Sequence, residues 1–318
     1  MAVGRFLMRW VDVLPLPSVR AQRLIAAAVI LTQGGIAVTG AIVRVTASGL
    51  GCPTWPQCFP GSFVPVPHAE VAGIHQAVEF GNRMITFLVV LTAALAVLAV
   101  TRARRRREVL VYAWLMPAST VMQAIIGGIT VRTGLLWWTV AVHLLVSMAM
   151  VWLAVLLYVK IGQPDDGHTA PLVPKPLRQL TVATAVVLAA QLVSGTLVTA
   201  AGPHAGDKSI EAPVPRLQIE IVTLVEVHAT ILLVYLALLL GLGVALRKIR
   251  ADRSIIRRLV VLLILVAAQA LVGRVQYAIG VPAALVAIHV AGAAASTAAT
   301  AALWASMRQR TEAEPVQG

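Results

Sequence analysis

The chain has 318 residues, of which 59% are hydrophobic and only 12% are charged. This composition excludes an ordinary soluble globule and indicates a protein that crosses a membrane several times. The formal net charge is +13, but the basic residues lie in short segments between apolar runs. That distribution is typical of membrane topology, so we expect no nucleic-acid partner.

Eight apolar stretches follow one another along the chain, each about 20 residues or longer and so able to cross the bilayer as a helix. They cover residues 22–43, 78–100, 109–130, 136–159, 179–200, 221–246, 257–278 and 282–306. The first stretch follows a basic segment and shares a motif with later ones, so we interpret it as a span and not as a cleaved signal peptide. The sequence predicts an all-α integral protein of the cell membrane.

Most basic residues precede span 1, including Arg5 and Arg9, or lie between spans 2 and 3, 4 and 5, and 6 and 7, or follow span 8. With eight spans, all of these segments fall on one side. The positive-inside rule makes that side the cytoplasm, so both termini are predicted to be cytoplasmic. The outer side then carries two long loops, at about 44–77 and 201–220.

Both cysteines of the chain, Cys52 and Cys58, lie in the first outer loop. Outside the cytoplasm a pair this close can form a disulfide, and two unrelated thiols are the alternative. Because the two cysteines share one oxidising loop, we predict that they are bonded to each other.

The second half of the chain repeats the first at an offset of 146 residues. The offset relates four pairs of positions, which are Asn82 and His228, Gln123 and Gln269, Gly127 and Gly273, and His143 and His289. Four helices per half is an even number, so the halves run parallel about an axis along the membrane normal. We predict two four-helix bundles, formed by residues 1–160 and 161–318.

A Gln-x-x-x-Gly pattern marks three of the four odd-numbered spans, at Gln123/Gly127, Gln191/Gly195 and Gln269/Gly273. Span 1 has Ile36 and Gly40 at the same place. Small residues at this spacing allow close helix approach, and the glutamines are candidates for contact with a buried polar ligand.

Three histidines lie about seven residues into even-numbered spans: His143, His228 and His289. At ~1.5 Å per residue they share a depth of about 10 Å below the outer boundary. His228 and His289 belong to one predicted bundle, where helices 6 and 8 can hold a haem iron between two imidazoles. An unrelated pair of hydrogen-bonded intramembrane histidines is the alternative.

The first half has Asn82, a poor haem ligand, opposite His143. His75, Glu79 and Asn82 lie on one face of the helix that starts span 2. A carboxylate beside a histidine is a candidate proton acceptor or cation stabiliser, although the helix dipole alone would also favour an acid here. Only the first half has this acid, which suggests a catalytic half and a cofactor half.

Four arginines run against the positive-inside trend: Arg44, Arg83, Arg132 and Arg274. Anionic partners such as haem propionates would explain them, and so would snorkelling at the interface. The loop histidines, interpreted as solvated, are His68, His168 and His204.

The run VTGAIVRVTASGLGCPTWPQC at 38–58, followed by HQAVEFGNR at 75–83, strongly resembles the haem A synthase family of integral membrane enzymes. The resemblance covers nearly the whole chain. It implies an oxidoreductase that oxidises one methyl group of haem O to a formyl group, giving haem A for terminal-oxidase assembly. It also implies haem b as a cofactor on His228 and His289, and substrate haem O in the first half.

The resemblance makes Glu79 the family's acidic residue and His143 its helix-4 histidine, with His75 a further catalytic candidate. The family commonly reads Glu-x-x-His-Arg, and here Asn82 stands in place of that histidine. The substrate haem then has His143 as its one protein ligand, or His75 supplies a second. Asn82, Arg44 and Arg83 are candidate contacts to haem. The implied partners are haem O synthase and an electron acceptor.

One alternative function is a di-haem cytochrome of b type that carries electrons from quinol. Such proteins stack haems across the bilayer, whereas the histidines here share one depth. A transporter with parallel repeats would need a site near the membrane midplane, and these histidines lie too shallow. We therefore favour the synthase.

Overall fold

The computed structural model describes residues 11–207 and 213–311, and long helices account for nearly all of its regular structure. The helices are α1 (Val19–Val45), α2 (Gly73–Arg102), α3 (Arg107–Arg132), α4 (Trp137–Ile161), α5 (Lys175–Ala201), α6 (Ile221–Lys248), α7 (Arg253–Ala278) and α8 (Ala283–Ala305). Each is long and apolar enough to cross a membrane. The predicted all-α, multi-span membrane fold is confirmed. Arg5, Arg9 and the polar tail after residue 311 lie outside the described residues.

The helix ends follow local chemistry. Ser18 accepts a hydrogen bond from the backbone N–H of Ala21 at the start of α1, and Asp252 does the same for Ser254 at the start of α7. These side chains satisfy backbone donors that have no partner inside the helix. These two helices therefore begin about one turn before the apolar stretches that the sequence predicts.

Turns related by the 146-residue offset share an uncommon backbone conformation. Leu135 and Val281, which precede α4 and α8, have φ angles of 59° and 58°. Arg104 and Arg250, which follow α2 and α6, have φ angles of 49° and 51°. Positive φ is uncommon outside glycine, so this recurrence is what two parallel repeats would give. The division into residues 1–160 and 161–318 stays a prediction.

Helices α1, α4, α5 and α8 form the centre of the bundle, where α1 and α4 each pack on α8 and α5 joins them. Helices α2 and α3 lie outside α1 and α4, and α6 and α7 lie outside α5 and α8. Neither α2 with α4 nor α6 with α8 packs extensively. Space therefore remains between the even-numbered helices of each half, where the sequence places its histidines.

Apolar side chains fill one end of this bundle. We call the end that carries the α1–α2 and α5–α6 connections the loop end, and the opposite end the terminal end. One core surrounds Met116 and Leu157, and another surrounds Leu242 and Leu303, both toward the terminal end. Apolar packing therefore dominates the helices toward the terminal end, and the histidines of the even-numbered helices lie toward the loop end, which the sequence predicts to lie outside the cytoplasm.

A buried arginine ties the connections together at the terminal end. The Arg105 guanidinium is 5% exposed and lies 2.8 Å from a carboxylate oxygen of Asp165. It also donates to the side chain of Gln22, and to the carbonyl oxygens of Ile161 and Gln163 at 3.0 and 2.8 Å. This one side chain joins α1, the α2–α3 turn and the segment after α4.

Two short strands, which the sequence did not predict, add to this junction. β1 (His168–Pro171) pairs antiparallel with β2 (Arg308–Thr311), and Arg310 donates to the carbonyl oxygen of Asp165 at 3.0 Å. His168 is exposed, as expected for a solvated histidine. The sheet attaches the end of the described chain to the α4–α5 connection.

The contacts of this junction shift the pKa of the Asp165 carboxyl group. Partial burial would raise its pKa, but hydrogen bonds from the Arg106 backbone N–H and the Arg105 guanidinium, with the charges of both arginines, lower the pKa overall. A lowered pKa in the folded state contributes stability at neutral pH that is lost as the pH falls through the aspartate range.

Replacement of Arg105 should destabilise the protein. Arg105→Ala removes the buried guanidinium that donates to Asp165, Gln22 and the carbonyl groups of Ile161 and Gln163, which we expect to cost about 2–4 kcal/mol. Thermal unfolding of purified protein in detergent measures this as a lower Tm. Arg107→Ala is the matched control, since Arg107 is exposed and its side chain has no hydrogen bond to a described residue. Equal Tm values for both variants would contradict the assignment.

Candidate functional site

A cavity of about 540 Å³ lies between α5, α6, α7 and α8 toward the loop end. Its walls are mainly apolar, and its few polar groups include His228, His289, Gln191 and Arg274. A cavity of this size, with few polar groups converging on it, is typical of a cofactor or small-molecule site.

The two histidines of this half face each other across the cavity. The ring centroids of His228 and His289 are 6.4 Å apart and the ring planes make an angle of 60°. Two metal–imidazole bonds of about 2 Å, together with the half-widths of the two rings, span roughly 6 Å. The spacing therefore suits a single metal ion held between the rings, as in a bis-histidine haem.

The glycine of each Gln-x-x-x-Gly pattern lies against the ring of the next helix's histidine. The pairs are Gly127 with His143, Gly195 with His228, and Gly273 with His289. A Cβ atom on Gly195 or Gly273 would lie 3.2 Å from the Cε1 atom of its histidine, closer than ordinary van der Waals contact. The glycine thus lets the backbone of its helix approach the histidine ring of the next helix. This adds a contact with the histidine to the close helix approach that the sequence predicts for these glycines.

The glutamines of the pattern bind the same histidines. Gln123 and Gln269 donate to the backbone carbonyl oxygens of His143 and His289, at 3.2 and 2.7 Å. Gln123 and Gln269 thus hold the helix segments that carry the histidines. Contact of the glutamines with a buried polar ligand stays a prediction.

The imidazole of His228 has hydrogen-bond partners at both nitrogens. Ser194 Oγ lies 2.8 Å from Nδ1, and Gln191 Nε2 lies 3.0 Å from Nε2. A metal ion at Nε2 would replace the contact with the Gln191 amide. His289 differs, because its buried Nδ1 has no hydrogen-bond partner among the described residues.

Several buried polar atoms on residues that line this cavity lack partners in the described part of the chain. They are Gln191 Oε1, Gln276 Oε1 and His289 Nδ1. Arg274, also on the cavity wall, makes no side-chain hydrogen bond or ion pair with a described residue. Buried polar groups are normally paired, so these atoms fit a bound group with polar edges. Two imidazoles, apolar walls and a free guanidinium together fit a haem with its carboxylates.

The first half presents a different set of groups. His143 is half-buried, and its buried Nδ1 has no hydrogen-bond partner among the described residues. Asn82 is hydrogen-bonded to Thr39 at 2.6 Å, and His75 Nδ1 lies 2.9 Å from Ser48 Oγ. His75 is thus tied to the loop that precedes α2, and a role for it as a second haem ligand stays a prediction.

Glu79 and Arg83 hold the cysteine loop against α2. The Glu79 carboxylate accepts hydrogen bonds from the Cys52 backbone N–H and from Arg83, each at 2.7 Å. Arg83 also donates to the carbonyl oxygens of Cys52, Thr54 and Gln57 at 2.9 to 3.2 Å. The anionic partner that the sequence predicts for Arg83 is therefore Glu79, and both residues are anchored to the loop.

The predicted disulfide between Cys52 and Cys58 is confirmed, and both residues are fully buried. The loop also packs on α3, where the Trp55 ring lies against Gly128 and Arg132 donates to the Trp55 carbonyl oxygen at 3.1 Å. The disulfide loop is therefore held against α2 and α3 at the loop end of the first half.

Arg44 crosses from the first half to the second. It donates to the carbonyl oxygens of His204 and Thr199 at 2.8 and 3.1 Å, and both of these residues line the cavity. His204 Nε2 lies 2.8 Å from the Val281 carbonyl oxygen. The interpretation of His204 as a solvated loop histidine is wrong, because it joins the α5–α6 connection to the turn before α8.

The family model described as cytochrome oxidase assembly protein matches residues 23–213. The chain belongs to this family. The match confirms at family level the resemblance seen in the sequence.

Similar curated proteins named heme A synthase come from three bacteria. The chain is 31% identical to that of Geobacillus thermodenitrificans and 33% identical to that of Geobacillus kaustophilus (strain HTA426). Each match extends over 101 residues, which is 31% of this chain and 30% of the relative. It is 29% identical to that of Lysinibacillus sphaericus (strain C3-41) over 115 residues, 36% of each chain. The matched segments span about a third of the length of these relatives.

Within this site, sequence reasoning missed Ser194, Gln276 and the bridging role of His204. A signal for Ser194 was present, since Thr39 occupies the same place beside Gly40 that Ser194 occupies beside Gly195. Gln276 and His204 carry no such signal, because their positions depend on how the loop end folds.

The contact between Gly195 and His228 can be tested by enlarging the glycine. Gly195→Val should displace the His228 ring and reduce retention of haem by about tenfold, through overpacking of a ligand's support. Gly40→Val is the matched control, since a Cβ atom there meets nothing within 4 Å. Haem content per protein is measured by absorbance after purification. Equal haem loss in both variants would contradict the hypothesis that Gly195 positions the His228 ring.

Proposed function

We propose that this chain is a haem A synthase, an oxidoreductase that converts a methyl group of haem O into the formyl group of haem A. The observation that carries the proposal is the cavity flanked by His228 and His289 in a chain of the oxidase-assembly family. The names of the similar bacterial proteins agree with it.

The cofactor in this proposal is haem b in the second half. His228 and His289 would bind its iron, and Arg274 would pair with a propionate at the cavity wall. A bis-histidine haem supplies one-electron redox chemistry. The apolar lining of the cavity excludes water from the macrocycle.

The substrate, haem O, would occupy the first half between α2 and α4. His143 is the candidate iron ligand, supported by its burial and its unpaired Nδ1. Asn82 cannot supply an imidazole, so the proposed substrate site has one strong protein ligand where the cofactor site has two. A weaker hold on the iron suits a molecule that must enter and leave.

Glu79 and His75 are the proposed catalytic groups. Oxidation of the methyl group proceeds through an alcohol and a hydrated aldehyde, releases protons and electrons at each stage, and takes its oxygen atom from water. Glu79 would stabilise positive charge on the oxidised carbon or accept a proton. Its hydrogen bonds to Cys52 and Arg83 fix the position of the carboxylate relative to the disulfide loop.

The setting of this reaction is also a proposal. The loop end would face outward from the cell membrane, with both termini in the cytoplasm, as the distribution of arginine and lysine predicts. Haem O would come from a haem O synthase, and the electrons would pass to a separate acceptor.

The haem content of the purified protein tests the function directly. Protein from cells that make haem O should yield haem B together with haem O and haem A on extraction and reverse-phase chromatography. His228→Ala should lose haem B selectively, because the cofactor iron loses a ligand. Haem B alone, even with haem O supplied, would instead favour the electron-carrying cytochrome.

Replacement of the Glu79 carboxylate tests the catalytic half. Glu79→Gln removes the charge while keeping the shape, and should slow haem A formation about a hundredfold or more while haem B remains bound. Glu70→Gln is the matched control, since Glu70 is an exposed acid in the α1–α2 connection, just before the helix that carries Glu79. Thiol labelling checks that the disulfide is intact in both. Unimpaired haem A formation in Glu79→Gln would remove Glu79 from the mechanism.

A further inference from the structure

A hydroxyl group on α5 contacts one ring nitrogen of His228. Ser194 Oγ lies 2.9 Å from the carbonyl oxygen of Gln191, to which it can only donate, and 2.8 Å from His228 Nδ1, so a tautomer with the proton on Nδ1 satisfies both contacts. A neutral imidazole that donates from Nδ1 has its lone pair on Nε2. The amide of Gln191 lies 3.0 Å from that Nε2 and 3.3 Å from Nδ1, so the nearer nitrogen is the one that this tautomer makes an acceptor.

The first half places a hydroxyl at the same position, but its hydrogen bond runs the other way. Thr39 Oγ1 donates to the side-chain oxygen of Asn82 at 2.6 Å and lies 3.2 Å from the carbonyl oxygen of Ile36. Thr39 and Ser194 both directly precede the motif glycine, and Asn82 and His228 are related by the 146-residue offset. Each half thus places a hydroxyl on its first helix against the polar residue at one fixed place on its second.

We infer that Ser194 is a positioning residue for His228 as a haem ligand. By accepting the Nδ1–H hydrogen bond it fixes the tautomer and the ring orientation, and makes Nε2 a stronger donor to iron. The inference rests on the proposed haem b site. It also makes the two ligands unequal, since His289 Nδ1 has no such partner among the described residues.

The consequence is a shift in redox potential. A more basic imidazole stabilises ferric over ferrous iron, so the Ser194 hydrogen bond lowers the midpoint potential of the haem. Loss of the acceptor should therefore raise the potential. A purely structural role for Ser194 would change protein stability or haem content without this shift.

Redox titration of the bound haem, followed by its visible absorbance, tests the inference on the full chain in detergent. Ser194→Ala should raise the midpoint potential, and Ser194→Thr should restore it, because Thr39 shows that a threonine fits this place. Thr39→Val is the matched control and should leave the haem b potential unchanged. Should the alanine variant be unstable, Ser194→Val and Ser194→Thr compare side chains of equal volume, and only the valine should shift the potential.

The outcomes separate this inference from the proposed function. Wild-type protein that holds no haem B would overturn the cofactor site and the inference with it. Full haem B content with an unchanged potential in both Ser194→Ala and Ser194→Val would overturn the inference alone. A raised midpoint potential in Ser194→Ala and Ser194→Val, together with the wild-type potential in Ser194→Thr, supports the inference.

Discussion

The close approach of a glycine to a histidine ring is the constraint on which the site depends. In the pairs α3–α4, α5–α6 and α7–α8, the ring of one helix lies against a backbone that has no side chain at that point. An imidazole in a membrane span needs such support, because it cannot rely on water for hydrogen bonds. Gln123 and Gln269 bind the carbonyl groups of the same histidines. Glycine and glutamine therefore act as one unit that sets the depth of each ring.

The remaining pair, α1–α2, shows what happens when the ring is absent. Asn82 replaces the histidine, and the space beside Gly40 is open. The hydroxyl of Thr39 still holds the shorter side chain in place. The two halves therefore share one framework, but asparagine at position 82 is a weaker metal ligand than histidine at position 228. The first half has in addition Glu79, Arg83 and the disulfide loop. A shared frame with one altered position is a simple physical way to obtain the two different haem sites of the proposed function.

Sequence reasoning reached the features that repeat or are local. Apolar stretches of about 20 residues define the spans, and a constant offset finds His143, His228 and His289 without knowledge of the fold. It could not find partners that meet only when loops pack, such as His204 with Val281 or Arg105 with Asp165. For this reason the prediction that His204 is solvated is wrong. The sequence does not show that the turn containing Val281 lies against this loop histidine. The strands β1 and β2 escaped prediction because each is short and polar.

The four arginines at the loop end are candidate partners of an anionic ligand, and their hydrogen bonds in the structure reduce that set. Arg83 binds Glu79 and loop carbonyl groups, Arg132 binds the Trp55 carbonyl, and Arg44 binds carbonyl groups of the second half. Each of these three has a hydrogen-bond partner within the protein. Arg274 alone of the four makes no side-chain hydrogen bond with a described residue, and it lies on the cavity wall. An unpaired cation beside a mainly apolar cavity favours an anionic ligand group. In the proposed haem b site, Arg274 is therefore the candidate partner of a propionate, and His228 and His289 are the candidate iron ligands on the same cavity.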